Sequence, residues 1–295
     1  MKEEKEMSQR FANFLLVLVT VSWGASYLFT KFAVAEITPF SLIAYRFTLA
    51  FLVTGIFFWK KIRHTTKETL FASLLLGTLM SIICIAFAYA LKITDASTAG
   101  FIMATTVIMV PMIMVVVTHK LPTRQITLGS IVTIIGLALF SIKETLTVST
   151  GMVLCLIIAF LYAVHIILNN KYAKKYDGVQ LGVYQLGFTG GISFIAALMF
   201  EPLSKPETAQ GYFSLVMLAL ICSAFAVVVQ SVAQKYTSAV HTGFIFALEP
   251  IFAACFALLF LHEVMDVQEL LGACFIFLGV LIANYTPKKS VRLDY

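Results

Sequence analysis

Glu249 is a carboxylate followed directly by Pro250, near the middle of an apolar run that extends from about 239 to 260. In hydrocarbon an ionised side chain costs at least about 3 kcal/mol unless it is paired, hydrated or protonated. Pro250 has no N–H to give the carbonyl of Phe246, so the helix is weakened beside the acid. Pro111 lies within about one turn of the equivalent position in an earlier apolar run. Helices interrupted at corresponding places in two halves of a chain point to a substrate site. A carboxylate in such a place binds a cationic group, carries a proton, or only fixes helix packing through a hydrogen bond.

Arg46 is the charge of opposite sign. It falls about eight residues into its apolar run, about 12 Å along a helix. It can hold an anionic substrate group, pair with Glu249 until substrate intervenes, or snorkel to the nearer interface as an anchor. Trp23, Tyr27, Tyr45, Tyr89 and Tyr184 add ring faces suited to aromatic or cationic ligands. Tyrosine and tryptophan are also ordinary residues of the membrane interface, and Trp23, flanked by Gly24 and Ser26 in mid-run, stands out from that background. His165, Asn169, Gln185 and Gln230 place further polar groups in apolar runs. Each is either a path for protons and substrate or hydrogen-bonded helix glue. The candidate substrate contacts are Trp23, Tyr27, Arg46, Tyr89, His165, Tyr184, Gln230 and Glu249.

The elements that must position these groups are membrane helices. Of 295 residues 60% are hydrophobic and only 12% charged, with a mean hydropathy of +0.94. Soluble domains carry roughly 25% charged residues, so lipid is the expected solvent. Stretches of sufficient length fall near 12–34, 38–59, 68–90, 96–117, 125–142, 150–171, 179–200, 210–233, 239–260 and 267–285. The first exceeds the core of a signal peptide and is read as a helix of the mature chain. With the N-terminus inside, the cytoplasmic segments hold sixteen Lys and Arg residues and the opposite side holds four, Lys31, Lys92, Lys143 and Lys205. That bias places both termini in the cytoplasm of a cell-membrane protein.

The chain also repeats itself. Shifted by 143 residues, Ala90–Phe140 falls on Ala233–Ala283 without a gap, matching Lys92/Lys235, Thr94/Thr237, Gly100/Gly243, His119/His262, Gln125/Gln268, Gly129/Gly272 and Gly136/Gly279. A shift of 139 sets Leu42, Tyr45 and Leu49 on Leu181, Tyr184 and Phe188. Residues 1–147 and 148–295 thus form two five-helix halves. Five spans per half is odd, so the second half enters the membrane the other way up. The expected fold is an all-α membrane protein of ten transmembrane helices in two inverted repeats, an arrangement recurrent in secondary transporters. The paired glycines, seven residues apart, mark a close contact either between the fifth and tenth helices or between two copies of a homodimer.

Ser22-Trp23-Gly24, Tyr45-Arg46-Phe47, Leu248-Glu249-Pro250, His262-Glu263 and Gly272/Gly279, in this order and spacing, resemble the drug/metabolite transporter superfamily, EamA type. The resemblance implies a central cavity between two inverted halves and transport, often export, of amino acids or related small metabolites. At the end of the fourth span the chain has His119-Lys120 where such repeats often carry an acid, so no shared role is assigned to Lys120 and Glu263.

Other chemistry is not supported. Five cysteines in apolar runs form neither a disulfide framework nor a thiolate metal site. His262-Glu263-Val264-Met265-Asp266 lacks the second histidine of a zinc-protease helix, and no phosphate-binding loop is present. Asn284-Tyr285-Thr286 fits a glycosylation pattern but falls on the expected cytoplasmic side. The basic residues flank spans and form no nucleic-acid patch. The expectation is a non-enzymatic carrier without a cofactor, with a small-molecule substrate, the bilayer and protons as its partners. The alternative is a receptor or assembly factor on the same scaffold.

Overall fold

Small polar residues open the helices. The computed structural model describes residues 7–94, 96–141, 149–261 and 267–285. Ser8 caps α1 (Gln9–Val34), its hydroxyl accepting the N–H of Phe11 at 3.3 Å. Thr38 precedes α2 (Pro39–Phe57), where Pro39 sits in the first turn and needs no hydrogen-bond partner. A short α3 (Trp59–Ile62) follows, and Thr66 caps α4 (Lys67–Ile93). The next rod is divided into α5 (Ala96–Ala104) and α6 (Thr106–Thr118), ahead of α7 (Arg124–Ser141).

The second half repeats the plan. Ser149 caps α8 (Thr150–Lys175) and Asp177 caps α9 (Gly178–Phe200). Thr208 caps α10 (Ala209–Ala219), which runs through a π-turn at Leu220–Phe225 into α11 (Ala226–Ala233). Another divided rod, α12 (Ala239–Phe246) and α13 (Glu249–Leu261), precedes α14 (Val267–Asn284). No strand occurs among the described residues.

Among the described residues seven helices, with the π-turn rod and the divided α12–α13 rod each counted as one, are long and apolar enough to cross a membrane. The fourth, fifth and tenth expected spans are represented by shorter apolar helices at 102–118, 124–139 and 270–284. Large apolar side chains such as Ile56, Phe57, Val116 and Met199 face outward, while Thr20, Ser73, Asn169 and Gln230 are fully buried. This is the reverse of a soluble protein and is what lipid solvation selects. The basic residues Lys2, Lys5, Lys143, Lys288, Lys289 and Arg292, and the His262–Asp266 motif, lie outside the described residues.

Packing follows the repeat. The α1 helix lies on α13, and its counterpart α8 lies on α5 and α6; α2 packs on α9, and α7 on α14. Exchanging the halves leaves this pattern almost unchanged. The paired glycines join α7 to α14 within one chain. A Cβ on Gly136 would come 2.5 Å from the Ile276 nitrogen and 2.8 Å from the Gly272 carbonyl. On Gly129 it would lie 2.8 Å from Gly279 O and from the Ala283 methyl.

The helix interruptions also correspond, though Pro111 does not cause the first. It lies inside α6, whereas the break is at Thr105. The Thr105 N–H turns back to the Ile102 carbonyl at 3.1 Å, and its hydroxyl bonds the same oxygen. In the second half the break is at Ala247–Leu248, where Leu248 N donates to Ile245 O at 3.1 Å. Pro250, which removes the next donor to Phe246, falls in the first turn of α13. Thr105 and Leu248 are separated by the repeat length of 143.

Helix ends gather on two faces. On the lysine-poor face, Glu36 accepts the N–H groups of Glu207 (2.9 Å) and Thr208 (3.0 Å), and Thr38 meets Ser204. On the lysine-rich face, Lys61 pairs with Asp177 at 2.9 Å.

Candidate functional site

Glycine at position 24 lets α1 touch the backbone of α13. A Cβ there would lie 2.6 Å from Phe252 Cβ and 2.9 Å from the Ala253 nitrogen. One turn further along each helix, Tyr27 of α1 meets Glu249, the first residue of α13. Trp23, next to Gly24, points its indole N–H at the Cys222 carbonyl, 3.0 Å away.

That carbonyl belongs to the π-turn. Such wide turns are uncommon and cluster at functional sites. Here one backbone oxygen takes donors from two other helices, because Arg46 Nη2 also reaches it at 3.2 Å. Arg46 Nε donates to Ser223 Oγ at 2.6 Å, and its guanidinium carbon lies 5.2 Å from the centre of the Phe47 ring. With 8% of its surface exposed, Arg46 is an internal residue and does not snorkel to an interface. Nor is it paired with Glu249: among the described residues the Lys61–Asp177 bridge is the ion pair found within 4.0 Å.

Arg46 and Glu249 instead face one cavity of about 80 Å³, room for roughly five water molecules. Trp23, Ser26, Tyr27, Phe47, Phe87 and Tyr162 contribute its polar and aromatic wall, and Met80, Cys84, Met103 and Cys222 its sulfur atoms. The arrangement offers a guanidinium with N–H groups to spare, a carboxyl group, and polarisable ring and sulfur surfaces between them. Among the described residues no cluster of His, Cys, Asp and Glu has the makings of a metal site.

Four of the eight candidates thus meet in the cavity: Trp23, Tyr27, Arg46 and Glu249. The other four do not line it. Tyr89 gives its hydroxyl to Glu201, whose carboxylate also holds the Phe40 N–H at 3.4 Å on the lysine-poor face. Tyr184 donates to the Ile62 carbonyl at 3.1 Å on the lysine-rich face. His165 and Gln230 are fully buried beyond the cavity, and His165 shares a 2.9 Å hydrogen bond with Gln185. His241 is tied to its own N-cap, Ser238, at 2.9 Å. Tyr162, Phe246 and the Cys222 carbonyl were not singled out by sequence. Tyr162 is one tyrosine among eleven, and a backbone carbonyl has no residue signature at all.

Comparison with known proteins agrees with the two-half plan. The EamA-like transporter family model matches residues 10–142 and again 149–285. A protein of Archaeoglobus fulgidus named an uncharacterized transporter is 29% identical over 92% of this chain and 96% of its own. The uncharacterized transporter YoaV of Bacillus subtilis is 22% identical, with the same coverages of 92% and 96%. A solved structure titled only as the crystal structure of a protein shares the fold, with a TM-score of 0.79 at 14% identity over 94% of this chain and 97% of that one. The chain belongs to the EamA-like transporter family and is a multi-pass membrane protein.

Proposed function

We propose that this family member is a secondary transporter of small zwitterionic or amine metabolites, amino acids among them, held between Arg46 and Glu249. One observation carries the reading: a buried cation and a half-buried carboxyl group share a cavity without pairing within 4.0 Å among the described residues. Leaving two such groups apart in a low-dielectric interior is costly, and a ligand bearing both charges offsets that cost. Its carboxylate pairs with the Arg46 fork and its ammonium with Glu249, while the rings of Trp23 and Tyr27 cover the remainder. Protonation of Glu249 in the ligand-free state gives a route for proton coupling.

Ten crossings in two inverted halves, with both termini in the cytoplasm of the cell membrane, complete the proposal. The sixteen-to-four distribution of Lys and Arg supports the orientation. Exchange of conformation between the halves opens the cavity to each side in turn. Gradients then set the direction, and export is the expected one.

Counterflow in proteoliposomes tests this, using pooled labelled amino acids and quaternary amines with and without an imposed pH gradient. Saturable exchange that is lost in Glu249→Ala is expected. Absence of exchange for every pooled compound, in protein shown to be folded, would overturn the assignment of substrate class.

A further inference from the structure

Three aromatic rings close one end of the cavity. Trp23 from α1 lies 4.9 Å from Phe246 of α12 and 5.9 Å from Tyr162 of α8 between ring centres, and Tyr162 stacks on Phe246 at 6.3 Å. The cavity itself extends from this cluster toward the lysine-poor face, along Ser26 and Tyr27 of α1 and Phe87 of α4. Both helices end on that face.

Beyond the rings, toward the lysine-rich face, the interior is polar and incompletely bonded. One turn past Tyr162 on α8 stands His165, stacked on the Tyr162 ring at 6.2 Å. One turn past Val227 on α11 stands Gln230. His165 Nδ1, Gln185 Oε1 and both polar atoms of Gln230 have no hydrogen-bond partner, although all three residues are at most 1% exposed. Each such atom is costly to leave unpaired in a low-dielectric interior. Buried groups of this kind are normally satisfied by water. The next turn is more completely bonded: Asn170 holds the carbonyls of Gln234 (2.7 Å) and Thr237 (2.9 Å), and Ser231 bonds Asn169 at 3.2 Å.

We infer that His165, Gln185 and Gln230 line a second, hydrated polar chamber on the lysine-rich side of the Trp23–Tyr162–Phe246 cluster, and that substrate crosses it when those rings part. The inference rests on the transport reading for its substrate and on the unsatisfied atoms for its location. The chemistry suits a passage. Amides and an imidazole supply donors and acceptors without a fixed charge opposite, so a zwitterion is solvated there and not trapped. Strong charge recognition stays at Arg46 and Glu249, and the layer of Asn169, Asn170 and Gln234 lies between the chamber and the lysine-rich face.

Labelling of Gln230→Cys with a membrane-impermeant methanethiosulfonate tests this, in vesicles of both orientations, with modification at residue 230 read by mass spectrometry. Label is expected only when the lysine-rich face is exposed. Adding Phe246→Ala, which opens the ring cluster toward the cavity, is expected to admit label from the lysine-poor face as well, raising the rate from that side at least about tenfold, as when a minor open state becomes dominant. In folded protein, no gain of labelling from the lysine-poor face after Phe246→Ala, or labelling from that face with the ring cluster intact, would overturn the chamber. Gln185→Cys supplies the same readout if Gln230→Cys does not fold. Labelling needs no substrate, so its failure alongside normal counterflow removes the chamber alone. Failed counterflow with the expected labelling removes only the substrate assignment.

Discussion

At an offset of 139 residues Thr38, which precedes α2, falls on Asp177, the cap of α9, and Arg46 falls on Gln185. At 143 the first residue of α6, Thr106, falls on the first residue of α13, Glu249. The halves therefore build the same helices and place different chemistry at the same points. The first half contributes the cation and an uncharged threonine; the second contributes the acid and an uncharged amide. Arg46 is held by Ser223 and the Cys222 carbonyl of a π-turn, whereas Gln185 meets His165. The related helix α4 runs from Lys67 to Ile93 without such a turn. Symmetry decides where the helices cross, and departures from symmetry give the cavity a positive and a negative pole.

Substitutions that make the halves alike attack this comparison most directly. Gln185→Arg gives the second half a cation without the π-turn that receives Arg46. A buried charge without its partners is expected to cost about 3–5 kcal/mol, read as a lower melting temperature in detergent; unchanged melting would mean the π-turn is not what accommodates Arg46. Glu249→Thr copies the first half and is expected to lower transport at subsaturating substrate by roughly 30–140-fold, equivalent to a lost charged contact of about 2–3 kcal/mol. Half the wild-type rate would break the proposed role of the acid.

Smaller effects sharpen the picture. Arg46→Gln copies the second half, and about a tenfold loss of affinity is expected for ligands with a carboxylate, with little change for simple amines. Equal losses for both would show that Arg46 acts through structure. Trp23→Phe removes the indole donor to Cys222 O and is expected to cost about 1 kcal/mol in unfolding free energy, with most transport retained. The smallest effect belongs to the surface. Glu36, whose counterpart at 139 is Lys175, accepts the Thr208 hydroxyl and the Glu207 and Thr208 N–H groups, which hold its carboxyl below the usual carboxylate range. Its stabilising contribution is therefore present at neutral pH and lost only as pH falls through the lowered value. Glu36→Gln should flatten that acid limb of melting temperature against pH; an identical limb would show that the clasp adds nothing.

Much of the architecture was legible because lipid imposes one-dimensional rules. An apolar stretch of spanning length, a charge inside it and a Lys/Arg bias between loops are each visible without contacts. Glu249 and Arg46 stood out for that reason, as charged residues where charge is expensive. The tyrosines were harder. Tyr27 and Tyr184 have the same amphipathic chemistry, and only packing sends one to Glu249 and the other to the Ile62 carbonyl. Pro111 was misleading, since a proline can sit within a helix while the break falls at Thr105.

By itself the sequence determined the solvent, the helices and the two-part plan, because hydropathy and self-similarity are properties of the chain read in order. It also determined which residues would have to justify their presence in an apolar interior. Tertiary structure alone decided that Arg46 and Glu249 share one cavity without pairing, that a π-turn carbonyl anchors both Trp23 and Arg46, and that three rings separate the cavity from a layer of unsatisfied polar atoms. These depend on distances between helices far apart in the chain. Which donor meets which acceptor is settled only when the helices are packed side by side.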